Sequence, residues 1–152
     1  MGEQALPYAL TIAASTGQPI HLVHVHVPLA PLYTPAMAGV ESTLDPTIRA
    51  REVEGLQKVR ERVAAATSVP VTTQMLDGDI AESVAEYAQG KKADLIVMST
   101  PGRGAASRFW FGSVADKLIR RATTPILLIP PGKNGTDLHR PVRLSRLVIG
   151  LD

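Results

Sequence analysis

Glycines bracket the stretch of this sequence best suited to meet an anion. Ser99-Thr100-Pro101-Gly102-Arg103-Gly104 follows the apolar run ADLIVMS, and Gly112-Ser113 then opens a helical pattern. Free backbone N–H groups and the dipole at a helix start favour phosphate, and glycines let the backbone approach it without an intervening side chain. Gly102-x-Gly104-x-x-Ser107 is only two-thirds of a dinucleotide fingerprint, and no acidic residue follows about 20 positions on at a strand end. Gly132-Lys133-Asn134 lacks both the spacing and the hydroxyl of a Walker loop. On these residues alone the stretch reads equally as a phosphate loop or a glycine turn. Arg103 and Arg108 are placed to reach a phosphate, with a surface role equally open.

Other chemistry-bearing residues are less telling. His21, His24 and His26 share a strand-like segment, but alternation puts only His24 and His26 on one face. Two imidazoles without a nearby carboxylate are an incomplete metal set, so the pair reads as structural and no metal is expected. Phe109-Trp110-Phe111 reads as packing or an interface rather than a base-stacking platform. Asp116, Lys117, Arg120 and Arg121 read as a solvated helix face. No Ser/His/Asp spacing supports nucleophilic catalysis, and the absence of cysteine excludes thiol chemistry and disulfides. Net charge is +2 with scattered basic residues, a poor footprint for nucleic acid. No apolar run approaches a membrane span and the N-terminus lacks a secretory layout, so a cytoplasmic protein is expected.

The elements alternate. Gly2 to Ser15 carries a helical apolar face, and Gly17 closes it. Ile20 to Val27 reads as a strand and Pro28 to Leu44 as a proline-rich loop. Asp45-Pro46 has the form of an N-cap and first helical residue, opening a helix to about Ala66 that buries Val53, Leu56, Val59 and Val63. Val69 to Leu76 is a strand, Asp77-Gly78 a turn, and Asp79 with Glu82 a capping box for a helix ending near Gln89. Ala93 to Ser99 and Pro125 to Ile129 are apolar strands of the kind buried in parallel sheets, separated by a helix from Ser113 to Arg121. With 152 residues, 45% hydrophobic and 20% charged, this is one α/β domain with a parallel sheet and helices on both faces.

Gly102, nine residues, then Gly112-Ser113 resembles the nucleotide loop of universal stress proteins, G-x2-G-x9-G-[ST]. EQALPYAL, HLVHVHVP, DGDIAESVAEYAQGKKADLIVMST and GSVADKLIRRATTPILLIP resemble that family's successive elements. The resemblance implies a doubly wound, Rossmann-like five-stranded sheet of order 3-2-1-4-5, akin to the adenine nucleotide alpha hydrolase fold. It implies ATP, possible with Mg2+, on Ser99, Gly102, Arg103, Gly104, Gly112, Ser113 and Val114, with the backbone of Val25 meeting the adenine. Little or no hydrolysis is implied. It also implies a homodimer through the edge strand Ile126, Leu127, Leu128 and Ile129. A dimerising stress-response module without nucleotide is the alternative, and Ser99, in place of the loop's first glycine, and the broken first strand both favour it.

The family opens on a strand ending in aspartate, and this chain opens on a helix. RLVIGLD, Arg146 to Asp152, resembles that strand, as if a second repeat of a tandem protein were beginning. The expected layout is a domain over 1–131, a linker over 132–143 and a strand within 144–152. Residues 145–151 are expected to fill the first-strand slot, within the subunit or swapped into a partner, with Asp152 as the nucleotide-contacting aspartate.

Overall fold

A computed structural model describes residues 2–28, 35–100, 112–130, 137–139 and 142–143, without the side chains of 35–43. A 3-10 turn, Gly2–Ala5, leads into helix α1, Leu6–Thr16. Gly17 ends it with φ 71°, a left-handed conformation that glycine adopts without cost, and its N–H reaches the carbonyl of Ala13. Then come β1 (Ile20–His26), α2 (Pro35–Ala65), β2 (Val71–Asp77), α3 (Ile80–Gly90), β3 (Ile96–Ser99), α4 (Gly112–Arg121) and β4 (Ile126–Ile129).

Both strand pairings among the described residues are parallel. β1 lies beside β2, Ile20 opposite Val71 and His26 opposite Asp77; β3 lies beside β4, Ile96 opposite Ile126 and Ser99 opposite Ile129. Among the described residues these are two separate two-stranded sheets. The central strand of a five-stranded order is therefore not among them, and residues 144–152, expected to supply it, lie outside the described residues.

Alternation along β1 and β2 sorts the helices between faces. Leu22 and Ile20 join Val71, Leu6, Leu10, Ala13 and Val63 in one core, beneath α1 and α2. On the opposite face His21 meets Thr72 Oγ1 at 3.0 Å and Tyr87 of α3 at 3.2 Å. A second core joins Ala81 and Ala85 of α3 to Leu118 of α4, with Ile96, Met98 and Ile126 beneath them. Helices on both faces of parallel strands are the doubly wound arrangement the alternation predicts.

Strand β3 begins at Ile96 rather than Ala93, and the largest difference from the predicted boundaries is at α2. Helix α2 begins at Pro35, so 35–44 is not loop and Pro46 sits inside the helix rather than at its start. Aspartate before proline is a good start signal, but here the Asp45 carboxylate lies against His26, 3.2 Å from Nε2. By contrast Asp79 caps α3 as predicted, accepting from the Glu82 amide at 3.0 Å. The Glu82 carboxylate pairs instead with Arg121 of α4.

The linker after β4 leaves a trace of its path. Leu138 packs on the core beneath α1 and α2, and the Val142 amide donates to Thr11 Oγ1 at 3.0 Å. Thr11 lies midway along α1, so the chain has crossed to that face and lies alongside the helix by residue 142.

Candidate functional site

The predicted nucleotide residues that are described all fall at the same kind of place. Val25 is buried near the carboxyl end of β1, opposite Leu76. Ser99 is the last residue of β3, and the neighbouring Thr100 amide extends the ladder to the Ile129 carbonyl at 2.9 Å. Gly112, Ser113 and Val114 form the first turn of α4. Gly112 has φ 70°, where any other L-residue is strained, so its glycine is required by the helix entry itself. Ser113 is exposed, while Val114 packs into the core of α3 and α4. Ligands of open α/β sheets bind outside the carboxyl ends of the strands, the edge on which Val25 and Ser99 lie. Gly102, Arg103, Gly104, Arg108, the Phe109–Phe111 triplet and Asp152 lie outside the described residues.

Helix α4 is tied to α3 by charge. Lys117 Nζ lies 2.8 Å from Asp79 Oδ2, and Arg120 pairs with Asp116 within the helix. The Lys117 ammonium holds the Asp79 carboxyl below its ordinary range, helped by the backbone amide of Glu82. These groups are exposed, in keeping with a solvated face.

Sequence reasoning missed a polar cluster at the end of β1. His26 is 2% exposed, with Nδ1 at 2.7 Å from Glu52 Oε2 and Nε2 at 3.2 Å from Asp45 Oδ2. His24 Nε2 lies 3.5 Å from the other Glu52 oxygen. Beside them Arg49 clamps Asp77 at the end of β2, Nε to Oδ1 at 2.9 Å and Nη2 to Oδ2 at 3.1 Å. The shared face of His24 and His26 is as predicted; the supposed lack of carboxylates is not. The signal was present: Asp45 and Glu52 are seven apart, two helical turns on one face. A loop ending at Leu44 hid it, because it made Asp45 a cap. The Glu52 contact raises the His26 pKa above its ordinary value, against the opposing effect of burial. Among the described residues, no group of three or more His, Cys, Asp and Glu is arranged to hold a metal ion. Nor is any described helix long and apolar enough to cross a membrane.

Parallel strands flanked by helices, with a glycine-entered helix at their carboxyl edge, define an α/β domain of the Rossmann-like class. The sequence model of the universal stress protein family matches residues 1–130, and the chain belongs to that family. A universal stress protein of Methanocaldococcus jannaschii is 32% identical over 130 residues, 86% of this chain and 75% of the relative. The solved universal stress protein UspA of Lactobacillus plantarum superposes with a TM-score of 0.68 at 24% identity, covering 82% of this chain and 86% of that one. A universal stress protein solved in complex with cAMP gives 0.59 at 22% identity, covering 84% and 87%. A member from Arabidopsis thaliana with AMP bound gives 0.51 at 16% identity, covering 86% and 78%.

Proposed function

We propose that this protein is a stress-response regulator that binds an adenine nucleotide, ATP with Mg2+, at the carboxyl edge of its sheet. The observation that carries the reading is the placement of Val25, Ser99 and Gly112 at strand ends and a helix start of one domain. The cAMP and AMP in related structures support the adenine class. In this reading the phosphates lie on the amides of Gly102, Arg103, Gly104, Gly112, Ser113 and Val114, beside Ser99. The adenine meets the backbone of Val25. In this reading binding is regulatory, with little or no hydrolysis, and the protein acts in the cytoplasm as a homodimer through Ile126–Ile129.

The same reading places residues 145–151 between β1 and β3, bringing Asp152 to the nucleotide edge. The path past Thr11 supports it. A strand entering parallel must start at the edge opposite the ligand, and α1 runs from the ligand edge toward that opposite edge. A chain already beside the middle of α1 at Val142 has covered much of the return.

Calorimetric titration of ATP tests the site. Gly102→Val should weaken binding at least tenfold, about 1.4 kcal/mol, by blocking close backbone approach. Gly112 is the poorer probe, since its φ makes substitution disturb α4 whether or not a ligand is present. Unchanged affinity in Gly102→Val would remove the loop from the site. An absence of ATP binding by the unaltered chain, with a dimer still present, would favour the dimerising module.

A further inference from the structure

Helix α2 has a weak joint, and the buried histidine of β1 grips it on both sides. Pro46 carries no N–H, so the helix bond from residue 46 to residue 42 is missing, and the proline ring crowds the carbonyl there. Asp45 immediately precedes this point and Glu52 follows it by less than two turns. His26 reaches both carboxylates, one from each ring nitrogen.

The protonation state decides whether that grip holds. Carboxylates only accept hydrogen bonds. A neutral imidazole has one N–H, so it satisfies one carboxylate and turns a lone pair toward the other. The imidazolium donates to both, and charge-assisted bonds of this kind are the stronger ones. Among the described residues, the charged and titratable groups around His26 come from α2, β1 and β2. From α2 come Asp45 and Glu52, together with Arg49, whose guanidinium is occupied by Asp77 of β2. From β1 comes His24, sharing Glu52. Neutral His26 presents one N–H to two carboxylates, and the cation described beside them is Arg49, whose guanidinium is hydrogen-bonded to Asp77.

We propose that His26 is a proton-operated clasp, pinning the Pro46 joint of α2 to the end of β1 when charged and releasing it when neutral. The released unit is the part of α2 before Glu52. Its base adjoins Val25, so the clasp lies next to the edge at which the ligand is proposed, but the device does not rest on a ligand being bound. The sign follows from geometry and linkage together. The folded pKa of His26 lies above 6.5. The clasp is therefore fully present below 6.5 and is lost as pH rises through the higher folded value.

The test is nuclear magnetic resonance on the full chain from about pH 5 to 8.5, following the His26 ring and amide exchange over 45–52. The His26 midpoint should exceed 6.5. Protection of 45–52, corrected for intrinsic exchange, should fall about tenfold for each pH unit between that midpoint and the value for free imidazole. Protection of α3 should not follow it. Glu52→Gln should return the midpoint toward 6.5 and flatten the pH dependence. Asp45→Asn serves the same purpose from the more exposed partner if Glu52→Gln does not fold. A midpoint at or below 6.5, or protection of 45–52 that is flat through the midpoint, overturns the clasp. So does a pH dependence that survives undiminished in the variants.

Discussion

Thr11 joins distant parts of the chain through a single oxygen. Its hydroxyl donates to the Pro7 carbonyl at 2.8 Å and accepts the Val142 amide at 3.0 Å. Thr11→Val keeps the β-branched shape and removes both bonds, leaving the Val142 amide without its acceptor. The expected cost is about 1 kcal/mol in urea unfolding, with faster exchange at the Val142 amide. Unchanged exchange there would show that the linker is not held by this contact. Nothing in the sequence announces such a bond, because its partners stand 131 positions apart and a threonine in a helix ordinarily serves its own turn. The His26 cluster was half legible for a related reason. Face-sharing by His24 and His26 follows from strand geometry, whereas their carboxylates come from α2, an element whose start the sequence does not mark.

At the scale of elements, caps with a local mechanism are legible in the sequence. Helix α3 starts at Asp79 because Asp79 satisfies an orphan amide, and α1 stops at Gly17 because only glycine enters the left-handed region freely. The start of α2 is not legible in the sequence because proline is ambiguous: at a first helical position it is favoured, inside a helix it is costly, and the residue alone does not say which. The two placements make opposite predictions. If Pro46 lies within α2, Pro46→Ala restores an N–H to bond residue 42 and should stabilise the protein by about 1–3 kcal/mol, a clear rise in melting temperature. If Pro46 opened the helix, the same change would be neutral or slightly harmful. A melting temperature that stays put or falls in Pro46→Ala would return the helix start to Asp45. The gain also bears on the clasp, since a helix without the weak joint should depend less on the charge of His26.

For the whole molecule, the sequence pattern specified the class of fold but could not specify how its halves are joined. Alternating helices and strands dictate parallel pairing, and the pairs β1–β2 and β3–β4 form as expected, each with its own core. Two such cores on opposite faces make one doubly wound domain only if the strands between them are bridged. Without a bridging strand, the facing edges of β1 and β3 present rows of unpaired backbone groups, and each such group costs about 1–3 kcal/mol when buried. Ser145 to Leu151 has the composition to fill that place, with Leu147, Val148, Ile149 and Leu151 suited to burial on both faces. The linker's contact with Thr11 brings it toward the required end. Deleting Ser145 to Asp152 should therefore lower stability by several kcal/mol, enough to unfold a domain of ordinary stability, whose total is about 5–15 kcal/mol. Adding the deleted segment back as a separate peptide should recover part of the melting temperature, because the slot would be open to it. Light scattering separates the two ways of filling the slot. Insertion within the subunit leaves assembly to the proposed Ile126–Ile129 edge, so a charged substitution at Leu127 or Leu128, which avoids the core residues Ile126 and Ile129, should yield a folded monomer. A swapped strand keeps the subunits joined despite that substitution. A shortened protein that retains its melting temperature and its dimer would mean the segment is not part of the sheet.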